Sequence, residues 1–348
     1  MKMIKQTLKS ICILRLSAIG DVCHAVAIVQ AIQRQYPKAK VVWIMGTVEA
    51  QLLADLPGID VVVFDKSLGW RGMKEVWHAL KGHRFDVLLH MQVALRASVL
   101  SLGIKAKQRV GFSWQRAKEG QWLFTNRKLP SSNSLHVLDN FADFSRYLGV
   151  KFERPQWFIP LSDSDIQFAT KQVTPPALVI CPSASKEERN WLVERYAAIA
   201  DHAHQRGLQV VLCGGPTERE KLLASAISNE CGFSPVDLVG KTSLKQLTAV
   251  LQRASVVLCP DSGPAHLATT QGTPVIGLYA HSDPRRTGPY LSSATTISVY
   301  RELIESQTGK ALEELPWGTR AKGQDLMANI ELQPVITVLD DLIDKTII

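Results

Sequence analysis

The sequence predicts an α/β protein built as two doubly wound, Rossmann-like domains. Short β-branched apolar runs alternate with stretches whose apolar residues recur at helical spacing, which is the rhythm of successive βαβ units. That rhythm breaks once, between residues 153 and 176, and then starts afresh, so the chain of 348 residues divides in two.

In order along the first half, strands are expected near 11–16, 40–45, 60–64, 85–89 and 108–111, with helices near 21–36, 72–82 and 94–103. Arg154-Pro155-Gln-Trp-Phe-Ile-Pro160 interrupts the pattern, and Thr174-Pro175-Pro176 precedes a fresh strand at 177–181. Strands near 208–213, 236–239, 255–259 and 274–279 then alternate with helices near 191–206, 216–228, 243–252 and 263–271. The resulting domains span 1–160 and 174–324. A last helix near 325–345, within a C-terminal segment 325–348, has no strand to follow it and is expected to pack back on the first domain.

Composition narrows the function classes. No apolar run reaches the length of a membrane span, and Met1-Lys-Met-Ile-Lys-Gln-Thr-Leu-Lys9 lacks a secretory core with a small-residue cleavage site, so a cytoplasmic protein is expected. Cys12, Cys23, Cys181, Cys213 and Cys259 fall in or beside apolar runs without C-x-x-C spacing, which reads as reduced core thiols. The net charge of +8 is unevenly divided. Residues 1–155 carry 23 basic against 11 acidic side chains, and residues 156–348 carry 17 against 21. A basic first half suits a polyanionic partner such as a phosphorylated glycolipid or an anionic membrane face. Nucleic acid is not expected, because the chain carries no helix-turn-helix, zinc-finger or aromatic-basic RNA-binding signature.

The chemistry concentrates at strand-to-helix turns. Val257-Leu-Cys-Pro-Asp261-Ser-Gly263-Pro264-Ala-His266 ends a buried strand on a carboxylate and opens a helix with small residues and a proline, leaving backbone N–H groups for an anion. Two more polar loops fall on the same expected sheet edge. Ser183-Ala-Ser185-Lys186-Glu-Glu-Arg189 offers hydroxyls and cations suited to a diphosphate, and Gly214-Gly215-Pro216-Thr217-Glu218 combines close backbone approach with an acid for ribose hydroxyls. Each also has an ordinary structural use, as an N-capped loop or as a first-turn helix acid. Near the other end, Ser17-Ala-Ile-Gly20-Asp21 puts Asp21 at a helix start, as a cap or as a catalytic carboxylate, and a lone glycine there is no dinucleotide fingerprint. Asp163-Ser-Asp165, the one D-x-D, reads as a helix cap rather than a metal site.

Taken together, Leu14-Arg-Leu-Ser-Ala-Ile-Gly20-Asp21-Val, Arg189-Asn-Trp191, Gly214-Gly-Pro216-Thr-Glu218 and Asp261-Ser-Gly263-Pro-Ala-His266 with Asp283-Pro284 resemble the lipopolysaccharide core heptosyltransferases of glycosyltransferase family 9. Ser113-Trp114-Gln115 and Phe124-Thr-Asn126-Arg127-Lys128 resemble heptosyltransferase I within that family. The resemblance implies a GT-B fold, two Rossmann-like domains facing across a cleft, and inverting transfer of heptose from ADP-heptose to Kdo of lipid A. It implies Asp21 as general base. For the donor it implies Ser183, Ser185, Arg189 and Gly215 near the diphosphate, Glu218 on the ribose, backbone near Thr242 on the adenine, and Asp261, Ser262, Gly263 and His266 on phosphate and sugar. The family's diphosphate-binding lysine is here Arg189, and Ala184 with Ser185 replaces a pair of threonines, so one hydroxyl is absent. For the acceptor it implies Gly20, Arg71, Lys74, Gln92, Arg96, Lys118 and His136. No metal or cofactor is called for, and the implied place is the cytoplasmic face of the inner membrane. Heptosyltransferase II, a nucleotide-sugar epimerase and a non-catalytic nucleotide-sugar binding protein are the competing readings.

Overall fold

A computed structural model describes residues 8–347, so the first seven residues, on which the reading of the N-terminus largely rests, lie outside it. The chain divides into two compact units, the first ending at Pro160 and the second starting at Leu161.

The first unit runs β1 (Ser10–Leu14), α1 (Ile19–Gln35), β2 (Lys40–Gly46), α2 (Thr47–Leu53), β3 (Ile59–Phe64), α3 (Trp70–Ala79), β4 (Phe85–His90), α4 (Leu95–Ser101), β5 (Ala106–Gly111), β6 (Arg127–Lys128) and α5 (Val137–Tyr147). Its strands form one parallel sheet in the order β3-β2-β1-β4-β5-β6. Ile11 sits opposite Val41 on one side and Val87 on the other, so β1 lies where the chain reverses its direction of travel across the sheet. Such a reversal opens a crevice at the carboxyl ends of the strands. Ile11, Cys12, Ile13 and Leu14 are fully buried, as a strand covered on both faces requires.

The second unit runs α6 (Asp163–Gln172), β7 (Ala177–Ile180), α7 (Val193–Gln205), β8 (Gln209–Leu212), α8 (Glu218–Glu230), β9 (Val236–Asp237), α9 (Leu244–Arg253), β10 (Val256–Pro260), α10 (Gly263–Thr270), β11 (Val275–Tyr279), α11 (Pro284–Thr287), β12 (Thr296–Ser298), α12 (Tyr300–Thr308) and α13 (Leu332–Ile347). The sheet order is β12-β11-β10-β7-β8-β9, again parallel, with β7 at the reversal. The loops after β10, β7 and β8 therefore stand side by side on one edge, as the sequence suggested.

Two expectations change. The segment expected as linker contains α6, whose start is fixed by a reciprocal cap: Ser162 Oγ accepts the Asp165 N–H at 3.2 Å, and Asp165 Oδ2 accepts the Ser162 N–H at 3.1 Å. The D-x-D is thus part of a cap, and among the described residues no group of three or more His, Cys, Asp or Glu is placed to hold a metal ion. The C-terminal helix, expected to pack back on the first domain, belongs to the second unit. Val335, Leu339 and Ile343, spaced four apart on one stripe, enter the second unit's core with Leu178, Leu258 and Ile276. Outside that stripe, His202 Nε2 meets Asp340 at 2.8 Å, and Arg206 meets Asp340 and Asp344 at 2.9 and 2.7 Å. An apolar stripe with acids beside it matches what α7 presents, which explains the destination. The described cysteines are all free thiols, and burial raises Cys12 and Cys23 well above the ordinary thiol range.

Candidate active site

In the first unit the site is a turn held from behind. After β1 the chain leaves the sheet, and Gln92 Oε1 accepts the N–H of Leu16 at 3.1 Å and of Ser17 at 3.4 Å. Gln92 is in turn fixed through its carbonyl by Gln121 Nε2 at 3.0 Å. Gln121, wholly buried, also donates to the His90 carbonyl at 2.8 Å and accepts from Phe112 N at 3.1 Å, so one amide side chain ties together the ends of β4 and β5. The turn delivers Asp21 to the third position of α1, where its Oδ2 accepts the Ala18 N–H at 3.3 Å.

The same Oδ2 is ion-paired with the guanidinium of Arg15. Arg15 is buried, donates to the Met91 carbonyl at 2.6 Å and lies over the Phe141 ring at 5.1 Å. Its side chain is 9% exposed against 34% for Asp21, so the cation is sunk in the unit and the carboxylate is the member offered to solvent. Beside the turn, burial pushes the Glu49 carboxyl above its ordinary value. Its own backbone amide and the charges of Lys66 and Arg15 act against that shift, and the charge of Asp21 adds to it.

The residues expected to bind acceptor do not all gather there. Gly20 and Gln92 belong to the turn, but Gln92 spends its side-chain oxygen on the backbone and so acts as its support. His136 caps α5, its Nδ1 accepting from Leu138 N at 3.0 Å, and its ring stands edge-on to buried His24 at 5.2 Å. Arg71 and Lys74 are exposed on α3, which packs on β3 at the edge of the sheet, and Arg71 pairs with Glu75 at 3.1 Å. Arg96 at the start of α4 and Lys118 in the β5-to-β6 connection are exposed.

In the second unit, Asp261 follows β10 and accepts the Ser282 hydroxyl at 2.6 Å. Arg189 Nη1 stands 3.4 Å from the same carboxylate oxygen, a loose contact, and Arg189 Nε is buried with no hydrogen-bond partner. Arg189 also lines a cavity of about 620 Å³ with Lys186, His281, Arg320 and Lys322. Ser262 precedes α10 without capping it through its side chain, and Gly263 and Pro264 form its first turn, so N–H groups at this helix start are uncommitted within the helix. His266 is buried one turn further on. The loop after β7 is braced: Ala184 N donates to Asn190 Oδ1 at 2.8 Å, and Arg219 Nη2 donates to the Ala184 carbonyl at 2.7 Å, leaving Ser185 exposed and Ser183 half-buried.

In the loop after β8 the Gly215 N–H donates to Glu220 Oε1 at 2.9 Å, and a Cβ on Gly215 would stand 2.8 Å from Glu220 Oε2. A side chain at 215 would require the Glu220 carboxylate to move. Glu218 is exposed at the start of α8, and Thr242 is half-buried just before α9. Sequence reasoning missed Arg15, Gln121, Arg219, Glu220 and Ser282. A cation closing an otherwise apolar strand run was a signal for Arg15, whereas the other four are identified only by their hydrogen bonds.

The model of glycosyltransferase family 9 (heptosyltransferase) matches residues 73–315. The chain belongs to this family. The enzyme is 49% identical to the lipopolysaccharide core heptosyltransferase OpsX of Haemophilus influenzae over 330 residues, covering 94% of this chain and 95% of that one. It is 24% identical to lipopolysaccharide heptosyltransferase 1 of Escherichia coli over 87% of this chain and 98% of that one. Among solved structures, the E. coli ADP-heptose lps heptosyltransferase II superposes with a TM-score of 0.76 at 19% identity, over 98% of this chain and 100% of that one. E. coli heptosyltransferase WaaC with ADP gives 0.73 at 19% identity, over 96% and 99%. These likenesses assign the GT-B fold. The enzyme is thus a glycosyltransferase of the heptosyltransferase family, and no helix among its described residues is long and apolar enough to cross a membrane.

Proposed function

We propose that the enzyme is heptosyltransferase I, moving heptose from ADP-L-glycero-D-manno-heptose to a Kdo sugar of lipid A with inversion. The observation that carries the reading is the Asp21 turn, a carboxylate held by a buried guanidinium and presented to solvent at the reversal point of the first sheet. In the proposed step Asp21 takes the proton from a Kdo hydroxyl as that oxygen bonds to the anomeric carbon. The bond from that carbon to the diphosphate oxygen breaks, its electron pair leaves with ADP, and the proton stays on Asp21.

The second unit's groups suit the leaving diphosphate. Arg189 offers an unpartnered Nε and a loosely held fork, and the start of α10 offers backbone N–H groups. Protein charges of this kind stabilise a departing anion without reorganising. Glu218 and Thr242 take the ribose and adenine ends, and Asp261 takes sugar hydroxyls. The solved structures of E. coli heptosyltransferase WaaC with ADP and with ADP-2-deoxy-2-fluoro heptose support an ADP-linked donor. Lys118 and Arg96, with Arg71 and Lys74, suit a phosphorylated acceptor, and the proposed place of work is the cytoplasmic face of the inner membrane. Heptosyltransferase II differs from this reading only in the acceptor.

Mass spectrometry of the product from ADP-heptose and defined acceptors tests the assignment. A single heptose added to Kdo-lipid A is expected, and addition only to an acceptor already bearing heptose overturns it. Asp21→Asn is expected to abolish transfer while leaving ADP affinity intact, and transfer at the wild-type rate removes Asp21 as base.

A further inference from the structure

One face of the first unit is both apolar and basic, and the proposed reaction leaves most of it unused. In the connection between β5 and β6, Trp114 is 60% exposed, Trp122 40% and Leu123 68%. The two indoles stand 4.9 Å apart at 49°, and Lys128 Nζ lies 4.3 Å from the centre of the Trp114 ring and 6.0 Å from that of Trp122. Residues 112–128 hold four cations, Arg116, Lys118, Arg127 and Lys128, against the single acid Glu119. Glu119 accepts the Leu95 N–H at 2.7 Å, which ties exposed Leu95 and Arg96 at the start of α4 to this connection. Buried Gln121, between the two tryptophans in sequence, clamps the connection to β4 and β5, so the rings are presented on a fixed base.

We propose that this face seats the enzyme on an anionic lipid bilayer, with Trp114, Trp122 and Leu123 entering the headgroup layer and Arg127 and Lys128 meeting lipid phosphates. The inference rests on the reading of a lipid-borne acceptor and names the surface that reaches it. Indoles suit the headgroup layer because their bodies are apolar and their N–H groups find water or phosphate there. An ammonium over two rings adds a charge that an anionic surface attracts, and the excess of 12 positive charges in residues 1–155 acts the same way at longer range.

The test is co-sedimentation of the full chain with vesicles of phosphatidylglycerol and phosphatidylethanolamine, with phosphatidylcholine vesicles as the neutral comparison. Wild type is expected to partition onto the anionic vesicles and to be released by salt. Leu123→Glu and, separately, Trp114→Ser with Trp122→Ser are expected to lower that partition about tenfold. Turnover of a water-soluble, lipid-free Kdo acceptor is expected to stay unchanged in both. Wild type with no preference for anionic vesicles overturns the proposal, as does Leu123→Glu binding like wild type. Loss of soluble-acceptor turnover in both variants overturns it too, by placing the rings at the acceptor sugar. Vesicle binding is measured without donor or acceptor, so its failure and a failure of the transferase assignment are told apart.

Discussion

Replacing Arg15 with methionine separates the base from the group that holds it. Methionine fills much of the arginine stem's volume against Phe141, so the loss is mainly charge and hydrogen bonds. The Met91 carbonyl loses a donor at 2.6 Å, worth about 1–2 kcal/mol for a bond from a charged group. Breaking a fully buried ion pair costs about 3–5 kcal/mol, but Asp21 is 34% exposed and water reaches the carboxylate left behind, which brings the pair nearer about 1 kcal/mol. The first unit should therefore lose about 2–3 kcal/mol, read by urea unfolding. Freed from its partner, the carboxylate no longer holds one position, and a misplaced base costs about 10- to 100-fold in kcat. Donor KM should not move, because the proposed donor residues all lie in the second unit. Arg15→Lys, which keeps the charge but loses the fork, should recover part of kcat. A methionine variant that loses stability while keeping wild-type kcat would refute the positioning role and leave Arg15 a structural ion.

Three further outcomes are expected. Burial holds the His90 imidazole at about 3 instead of its ordinary 6.5, with the Arg109 charge acting the same way; the unfolded chain binds a proton below 6.5 that the folded unit refuses. His90 thus adds stability that is full above 6.5 and is lost as pH falls toward 3, by about 1.4 kcal/mol per pH unit, and His90→Gln should flatten that limb of a urea-midpoint profile. Arg189→Ala should weaken ADP binding in calorimetry and cost about 2–4 kcal/mol of transition-state stabilisation, and unchanged values in both would place the phosphate site elsewhere. Gly215→Ala should push the Glu220 carboxylate aside, raise donor KM and cost about 1 kcal/mol of stability through its lost hydrogen bond, and the cost should shrink in a Glu220→Ala background; equal costs in both backgrounds would rule out the clash.

The architecture was legible because its signal is periodic. Both sheets, their order of strands and helices and the three polar loops follow from apolar runs of strand length separated by helical ones. The short pieces escaped: α2, α5, α11, α12, β6 and β12 are brief or start without a strong punctuating residue, and β6 is a two-residue edge strand whose sequence, Arg127-Lys128, reads as surface. The destination of α13 escaped for another reason. Its stripe of Val335, Leu339 and Ile343 was visible, but an apolar stripe says only that a helix packs, and the choice of partner came from α7 and the Arg206 cation that follows it. In the candidate site, the residues that would touch substrate were readable because their types are chemically demanding, as with Asp21, Arg189 and Asp261. The residues that hold them were not, because Gln121 and Glu220 act through hydrogen bonds to backbone that is distant or locally folded, and Gln92, expected at the acceptor, supports the turn in the same way.

Both units place an arginine and an aspartate beside the carboxyl ends of their strands, Arg15 and Asp21 after β1, Arg189 after β7 and Asp261 after β10, and they bias the pair oppositely. In the first, Arg15 is sunk and firmly engaged, so the pair presents a fixed carboxylate. In the second, both side chains are nearly buried, at 11% for Arg189 and 15% for Asp261, yet the contact between them is loose at 3.4 Å. Asp261 has a stronger bond to the Ser282 hydroxyl at 2.6 Å and does not depend on the arginine. Arg189 keeps a buried Nε with no partner, a group whose desolvation nothing present offsets. A diphosphate binding beside it would satisfy that donor and meet a positive charge only half-claimed by Asp261. Two short-range choices, which member of the pair is buried and which is otherwise bonded, thus make one turn suited to accepting a proton and the other to receiving an anion.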